Sequence, residues 1–324
     1  MTTESLRVPV SGTQLGGRRH VRRSTDNGTQ VVLKQRPPAG KPLGRSLVLE
    51  ARLQTEAAAR FHGWHVPPID PPLRCTQTVL TSTFYDDMVT AERFFTQPHL
   101  LIAVARQLGI AIAWLHTSQR QRVAELPLAA IETPPVAPIS LSAVADHSEA
   151  TLELAALLHR EDFAGLLEGA DGTAQPEVFV HGDLKFDNVL SDRAGYGVKI
   201  IDWECAGRGA AIIDLAAFSA SLIYEGIRLG AVAAQRSAQD GMMRADVETT
   251  KAWTAISAFF ASYREHTKAA KLDVHSLIRL GAWFLLARAT SYTDAIGAFD
   301  RLPKMLVRVA HNMATKPVLF ERRF

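Results

Sequence analysis

Hydrophobic positions in the first part of the chain follow the short spacing of β-strands, and then the longer spacing of one helix. Apolar residues between positions 47 and 61 recur three or four residues apart, which predicts a helix, and Pro67 and Pro68 end it. β-like runs bounded by Gly, Pro, Asn and Asp predict strands at residues 6–15, 18–23, 30–34 and 76–84. The pattern therefore predicts a β-rich amino-terminal lobe with one helix.

Helical patterns dominate the rest of the chain. Residues 100–116 are strongly amphipathic, whereas residues 127–139 are rich in proline and predict an irregular insertion. Residues 143–167 predict helix in one or two pieces. Further helical patterns cover residues 211–234, 242–268, 273–296 and 301–313. Periodicity alone indicates the α+β fold class.

Two apolar runs in the middle of the chain lead into residues that suit phosphate chemistry. The first precedes His-Gly-Asp-Leu-Lys-Phe-Asp-Asn at residues 181–188, and the second ends in Asp202. Mg²⁺ prefers oxygen ligands and is typically held by one or two protein groups plus substrate phosphates. Asn188 and Asp202 supply such oxygens, which leaves Asp183 to accept a proton from a hydroxyl nucleophile. The pattern predicts a kinase.

The loop at residues 181–190 resembles the catalytic loop of the aminoglycoside phosphotransferase and choline kinase families, small-molecule relatives of the protein kinases. Residues 201–216 resemble their metal-binding segment, including the Asp-Leu-Ala that begins at Asp214. The resemblance implies ATP and a two-lobed protein-kinase-like fold. A small β-rich N-lobe, residues 1–86, is expected to bind nucleotide, and a large, mainly helical C-lobe, residues 87–324, to carry the catalytic loop and the acceptor site.

The resemblance also implies a fixed cation on the triphosphate. Lys34, at the end of a predicted strand, is expected in this role, between the phosphates and a carboxylate of the helix. The expected carboxylate is Glu56, because it lies eleven residues before Pro67, a spacing similar to that of the families. Glu50 is the alternative. Six residues at 3.6 per turn put the two carboxylates on different faces of the helix, so only one can serve.

Other nucleotide contacts are expected from backbone groups. Gly16 and Gly17 are candidates for close approach to phosphate, although a Gly-Gly hairpin turn is an equal alternative. The base is expected against residues 80–86, between the lobes. There, the backbone groups of Ser82 to Phe84 are expected to bond it.

Roles within the two motifs follow from chemistry and from the resemblance. Asp183 is expected to position and deprotonate the acceptor hydroxyl, and Lys185 to neutralise charge on the γ-phosphate. The expected metal ligands are Asn188 and, in the metal segment at residues 201–204, Asp202. Two further residues are expected to support the loop structurally. They are His181, through a hydrogen bond to the backbone of the metal segment, and Asp214.

Composition describes an ordinary globular protein, with 47% hydrophobic residues. Two cysteines, Cys75 and Cys205, are too few for a disulfide framework, and the first residues lack the apolar core of a signal peptide, so a cytoplasmic location is expected. The most apolar long stretch, residues 210–234, contains charged side chains, which argues against a membrane span.

Charge is uneven, since residues 1–60 hold 11 Lys and Arg against 4 Asp and Glu, and residues 301–324 hold 6 against 1. Part of the amino-terminal excess suits triphosphate binding. Nucleic acid is not expected as a partner because the basic residues belong to no recognisable recognition module. Whether the chain has a protein partner stays open.

The acceptor stays open at this level. The expected partners are a nucleotide and a hydroxyl-bearing acceptor, either a small molecule such as a natural product, or Ser/Thr of a ribosomally made precursor peptide. The basic carboxyl-terminal segment speaks mildly against an aminoglycoside, but the net charge of −9 over residues 61–300 keeps this polycationic acceptor open. A pseudokinase that binds nucleotide without turnover is the third alternative. Active chemistry is favoured over it because Asp183, Asn188 and Asp202 are all present.

Overall fold

The computed structural model of the protein describes residues 13–14, 21–26, 28–35, 46–118, 120–136, 148–169, 177–234, 237–267 and 272–321. Gly16 and Gly17, which were candidates for phosphate contact, lie outside these residues.

A five-stranded antiparallel sheet forms the amino-terminal part, in the order β1-β2-β3-β5-β4. Its strands are β1 (Thr13–Gln14), β2 (Val21–Asp26), β3 (Thr29–Gln35), β4 (Arg74–Cys75) and β5 (Val79–Thr83). β3 lies between β2 and β5, where Lys34 is opposite Val21 and Leu80. The strands predicted at residues 30–34 and 76–84 are confirmed, the second in shortened form.

Helix α1 (Leu47–Ala59) follows β3 and confirms the helix predicted at residues 47–61. Its first turn is capped by Ser46, whose hydroxyl accepts a hydrogen bond from the N–H of Leu49 at 3.2 Å. Such a cap satisfies one of the N–H groups that have no partner within the helix. Leu53 and Ala57 are fully buried, so the apolar stripe that predicted the helix is the face that packs into the core.

The chain leaves the first sheet after β5 through residues 84–87. The boundary predicted between the two lobes, at residue 86, is a position within this segment. Two smaller sheets then frame the catalytic motifs. One has the order β6-β8-β9 and the other pairs β7 with β10. Their strands are β6 (Met88–Thr90), β7 (Glu177–Val180), β8 (Val189–Asp192), β9 (Val198–Ile200) and β10 (Gly207–Ala210).

Helices make up most of the carboxyl-terminal part, as predicted. They are α2 (Pro98–Thr117), α3 (Glu149–Arg160), α4 (Phe163–Leu166), α5 (Ile212–Ala233), α6 (Ala238–Thr267), α7 (Val274–Ile296), α8 (Arg301–Thr315) and α9 (Val318–Glu321). The predicted insertion is irregular where it is described, with an isolated bridge between Leu128 and Arg208. The two-lobed, kinase-like α+β fold is confirmed.

Helices α2 and α5 run through the core of this helical part. Both have the length and hydropathy of a membrane span, and more than half of the apolar stretch of each is buried inside the fold. α2 approaches α6 closely at Gly109, where a Cβ atom would lie 2.4 Å from the carbonyl oxygen of Phe259. α5, whose start borders the catalytic loop, packs on the same part of α6, with the ring centroids of Phe218 and Phe259 4.6 Å apart.

Candidate active site

The catalytic loop leaves the buried strand β7 through a glycine that no other residue could replace without strain. Gly182 has φ +81°, a conformation that L side chains rarely adopt, and a Cβ atom there would lie 2.4 Å from the carbonyl oxygen of Cys205. The loop and the metal segment therefore touch through their backbones. The sequence signal for this contact was the glycine between His181 and Asp183.

A buried hydrogen-bond network supports the loop. The carboxylate of Asp214, in the first turn of α5, accepts hydrogen bonds from the backbone N–H of His181 at 2.8 Å and of Gly182 at 2.9 Å. The same carboxylate lies 3.1 Å from Nε2 of His116, and Nδ1 of that ring lies 3.0 Å from the Tyr263 hydroxyl. Asp214 is thus in contact with the loop that it is predicted to support. His116 and Tyr263 were missed because their helices meet the loop only in the folded chain.

His181 ties the loop to the metal segment. Its Nε2 lies 3.0 Å from the backbone carbonyl oxygen of Ile201, in the segment to which the predicted hydrogen bond was assigned. The N–H of Ile201 in turn donates to the carbonyl of Asn188 at 3.0 Å, so Asn188 and Asp202 lie at the same end of the β8–β9 hairpin. Asp202 has φ +66°, a strained conformation for a residue other than glycine, which is often found at functional sites.

The side chains of the loop itself form a compact cluster around Asp183. Lys185 Nζ lies 2.6 Å from Asp183 Oδ2, and Asn188 Nδ2 donates to the same oxygen at 3.1 Å. Phe186 anchors the turn between them, with its ring centroid 6.0 Å from those of Phe95 and Phe218. The structure thus brings together the predicted base, the predicted γ-phosphate cation and one predicted metal ligand.

Lys34 joins the amino-terminal sheet to the metal segment. Its Nζ lies 2.8 Å from Asp202 Oδ1, 2.8 Å from Glu204 Oε2 and 3.0 Å from Glu50 Oε1. The distance between Lys34 and Asp202 along the chain is 168 residues, yet their side chains are in direct contact. Glu204 was not among the predicted site residues. The available signal was a second carboxylate two positions after Asp202, inside the predicted metal segment.

The predicted partnership of Lys34 with Glu56 is wrong, because Glu50 is the partner. Glu50 is buried, with 3% of its surface exposed, and its carboxylate faces β3. Glu56 points to another face of α1, where it accepts a hydrogen bond from Arg60 Nη2 at 3.3 Å. Because six residues separate Glu50 from Glu56, the two carboxylates lie on different faces of α1 and only one of them can contact Lys34. The rotation of α1 against the sheet decides which one does.

We expect Glu50→Gln to reduce turnover more than Glu56→Gln. Gln keeps the volume of Glu50 but removes the charge that holds Lys34 in place, whereas Glu56 contacts only Arg60 among the partners described here. The loss of a charge-assisted hydrogen bond of this kind corresponds to roughly 1.5–3 kcal/mol. Steady-state ATP consumption by the two variants measures the difference. Equal rates would remove Glu50 from the site.

Glu50 and Lys34 have shifted protonation equilibria because three carboxylates share one ammonium group. Burial, reinforced by Asp202 and Glu204, outweighs the attraction of Lys34 and raises the pKa of Glu50 from 4.5 to about 7. The pKa of Lys34 is also raised; burial opposes this shift, but the three neighbouring carboxylates outweigh it. Lys34 therefore stays protonated at neutral pH, and Glu50 takes up a proton as the pH falls below about 7.

This shift predicts that Glu50 makes the protein less stable as pH rises. Between about pH 4.5 and 7 the folded protein retains the proton of Glu50 that the unfolded chain releases, so the free energy of unfolding falls across this window and is then level. The expected loss is on the order of 1–3 kcal/mol, since one pKa unit corresponds to about 1.4 kcal/mol. Urea unfolding of the wild type and Glu50→Gln at several pH values isolates it. A pH-independent difference between the two proteins would contradict this prediction.

The backbone groups of the segment expected to bind the base point only partly in the predicted direction. The N–H of Leu73 donates to the carbonyl of Thr81 on the β4 side of β5 at 2.9 Å. Because backbone directions alternate along a strand, Ser82 directs its groups to β3, where Val32 is its register partner. The prediction that the Ser82 backbone bonds the base is therefore wrong. Thr83 is the next residue whose backbone N–H and C=O groups point away from β3. The role of the Phe84 backbone stays a prediction.

The residues at the hairpin end suit a magnesium ion. One carboxylate oxygen of Asp202 and one of Glu204 point to the same position, which is occupied by the ammonium group of Lys34. Within the described ranges, no three His, Cys, Asp or Glu side chains form a ready-made metal cage. Mg²⁺ typically keeps several waters and binds through one or two carboxylates plus phosphate oxygens, and Asp202 and Glu204 are two such carboxylates.

Comparison with known proteins agrees with this architecture. The model of the phosphotransferase enzyme family matches residues 15–253. A choline/ethanolamine kinase family protein from Mesorhizobium loti is 17% identical, with a TM-score of 0.51 and coverage of 94% of this chain and 87% of that chain. Choline kinase LicA from Streptococcus pneumoniae is 10% identical, with a TM-score of 0.50 and coverage of 94% and 93%.

A glucosamine kinase is 17% identical, with a TM-score of 0.54 and coverage of 96% of this chain and 80% of that chain. At these identities, the likeness to solved structures concerns the fold. No curated protein matches the sequence.

Proposed function

Because the chain belongs to the phosphotransferase enzyme family, we propose that it transfers the γ-phosphate of ATP to a hydroxyl group of a small molecule, with Mg²⁺ as cofactor. One observation carries this proposal. Asp183, within 3.1 Å of Asn188 Nδ2, lies on the loop whose hairpin ends in Asp202, and Asp202 lies 2.8 Å from Lys34. A base, a cation and oxygen ligands thus meet at one end of one hairpin.

Asp202, Glu204 and the amide oxygen of Asn188 are the groups that would hold the metal ion. Mg²⁺ bound there would neutralise charge on the phosphate oxygens. Lys34 would then exchange its contacts with Asp202 and Glu204 for phosphate oxygens, while Glu50 keeps its side chain in place. This exchange suits a strand-borne Lys, because its ammonium group can move among oxygen partners without moving the strand.

Asp183 would accept the proton of the acceptor hydroxyl as the phosphate bond forms. Its carboxylate lies 2.6 Å from the ammonium group of Lys185, which holds it in place on the loop. Lys185 can also contact the transferred phosphoryl group, since it reaches the same point as the base. Asn188 orients the carboxylate through Oδ2, which leaves Asp183 Oδ1 as the oxygen directed to the acceptor.

Similar proteins support the choice of a nucleotide and a small acceptor. LicA has been solved in complex with AMP, and glucosamine kinase in complex with glucosamine, ADP and inorganic phosphate. Both proteins are similar to this chain in fold only, so neither identifies the acceptor of this chain. A small hydroxyl compound is the acceptor class that we propose.

The test is phosphate transfer measured by mass spectrometry. The protein is incubated with Mg²⁺ and ATP and a panel of amino alcohols, sugars, aminosugars and Ser/Thr peptides, with parallel samples that lack ATP. We expect one class of small hydroxyl compound to gain the mass of a phosphate group in an ATP-dependent manner. Transfer to peptides alone would overturn the proposed acceptor class, and nucleotide binding without hydrolysis or transfer would overturn the proposed activity.

A further inference from the structure

An ion pair between buried Lys199 and partly exposed Asp70 lies next to the segment expected to bind the base, outside the groups described so far. Lys199, in β9, directs its ammonium group to both carboxylate oxygens of Asp70 at 2.9 Å and to the carbonyl of Pro67 at 2.8 Å. Its side chain is 10% exposed. Three hydrogen bonds therefore satisfy the ammonium group, a condition that a buried charge requires.

The pair also holds the connection between the lobes. The hydroxyl of Tyr85 donates to Asp70 Oδ2 at 2.6 Å, and Lys199 Nζ lies 5.3 Å from the centre of the Tyr85 ring. Burial and Asp70 raise the pKa of this hydroxyl, so it remains a hydrogen-bond donor. Tyr85 belongs to the segment that is expected to meet the base.

Neighbours of Tyr85 are held from the opposite side. The guanidinium group of Arg23, in β2, lies 4.2 Å from the centre of the Phe84 ring and donates to Asp86 at 2.8 Å. Alternate side chains of an extended segment point in opposite directions. Residues 84–86 are therefore fixed to the first sheet on one face and to the Lys199–Asp70 pair on the other.

The backbone of the segment that carries Asp70 contacts the two other elements that carry the site. Gln54, one turn after Glu50 on α1, donates to the carbonyl of Asp70 at 2.8 Å. The N–H of Ile200, next to Lys199, donates to the carbonyl of Pro68 at 2.8 Å, and β9 ends two residues before Asp202. Residues 67–70 thus contact α1 and β9 through their backbone, and the Asp70 carboxylate adds Tyr85 and Lys199 to the same set of contacts.

We propose that Lys199 and Asp70 are positioning residues for the nucleotide: they set the segment at residues 84–86 relative to Glu50 and Asp202. The inference rests on the proposed nucleotide-binding function. Buried ion pairs contribute little net stability, because desolvation offsets their attraction, but breaking one leaves an uncompensated charge that must move or attract water. Loss of Lys199 therefore displaces Asp70, and with it Tyr85 and the edge that meets the base.

The experiment measures the dissociation constant of ADP carrying a fluorescent N-methylanthraniloyl group, with Mg²⁺, below the melting temperature of every variant. Lys199→Met is compared with Lys251→Met. Lys251 contacts both oxygens of buried Glu248 at 2.9 Å and 3.0 Å, and it lies in α6, which carries no nucleotide-site residue described above. Lys199→Arg, which keeps the charge, and Tyr85→Phe, which keeps the ring, complete the set.

We expect Lys199→Met to raise the dissociation constant about tenfold, the scale of positional effects on a neighbouring site, with partial recovery in Lys199→Arg and a smaller increase in Tyr85→Phe. Lys251→Met is expected to lower the melting temperature and leave affinity unchanged. A Lys199→Met variant that melts earlier but binds as tightly as the wild type would overturn the positioning role. A wild type that fails to bind the nucleotide would overturn the proposed function and this inference with it.

Discussion

Replacement of Asp183 by Asn is expected to lower the rate of phosphate transfer by about 10²–10⁴-fold, the usual contribution of a positioned general base. Asn keeps the size of the side chain and its contact with Asn188 but cannot accept the hydroxyl proton at neutral pH. Nucleotide affinity should change little, because the base faces the acceptor rather than the nucleotide. Transfer rates by mass spectrometry and affinity for fluorescent ADP separate the two effects.

The matched control is Asp187→Asn on the same loop. Asp187 is half-exposed and pairs with Arg288 at 3.1 Å, so its loss removes a surface ion pair of small value. We expect this variant to retain most activity. A rate for Asp183→Asn close to that of the wild type, or an equal loss in both variants, would contradict the assignment of Asp183 as the base.

Replacement of Asp202 by Asn is expected to remove most Mg²⁺-dependent turnover. A metal ion contributes several kcal/mol to stabilising charge in the transition state, so the expected loss is about 10²–10³-fold. The variant also removes one of the three carboxylates around Lys34, which remains paired with Glu50 and Glu204. Mg²⁺ titrations of ATP hydrolysis measure the effect, and the Mg²⁺ dependence of fluorescent ADP affinity provides a readout that is independent of turnover.

Glu177→Gln is a suitable control for this second prediction. Glu177 pairs with Arg208 at 2.7 Å, and both side chains are partly exposed at the β7–β10 sheet. Its loss is expected to leave the Mg²⁺ titration unchanged. If Asp202→Asn has the same Mg²⁺ dependence as the wild type, the metal ion is held elsewhere and the assignment of the hairpin end is wrong.

Local patterns were enough to identify most elements and the catalytic motif. The helices predicted at residues 100–116 and 273–296 appear as Pro98–Thr117 and Val274–Ile296, because each has an apolar stripe that a core must cover. Asp183, Asn188 and Asp202 come together because a short hairpin connects them, and a hairpin fixes its own register. Their positions relative to one another depend on few residues outside the loop.

The choice between Glu50 and Glu56 could not be made from spacing alone. Both carboxylates suit a helix, and the rotation of α1 against β3 is set by many apolar contacts, among them those of buried Leu53 and Ala57. The direction of the Ser82 backbone groups could not be predicted for a similar reason, because it depends on which strands pair with β5. The rotation of α1 and the direction of the Ser82 backbone are set by packing and by strand order. No local sequence pattern indicates either of them.

By itself, the sequence determined the α+β class and, through the resemblance of two short motifs, the kinase-like fold, the catalytic loop and the hairpin that carries the expected metal ligands, because each of these signals lies in a short stretch of the chain. Only the tertiary structure decided the partner of Lys34, the addition of Glu204, the support of the loop by His116 and Tyr263, and the Lys199–Asp70 pair. Each of these joins elements far apart in sequence, so its geometry follows from how the elements pack and not from their spacing.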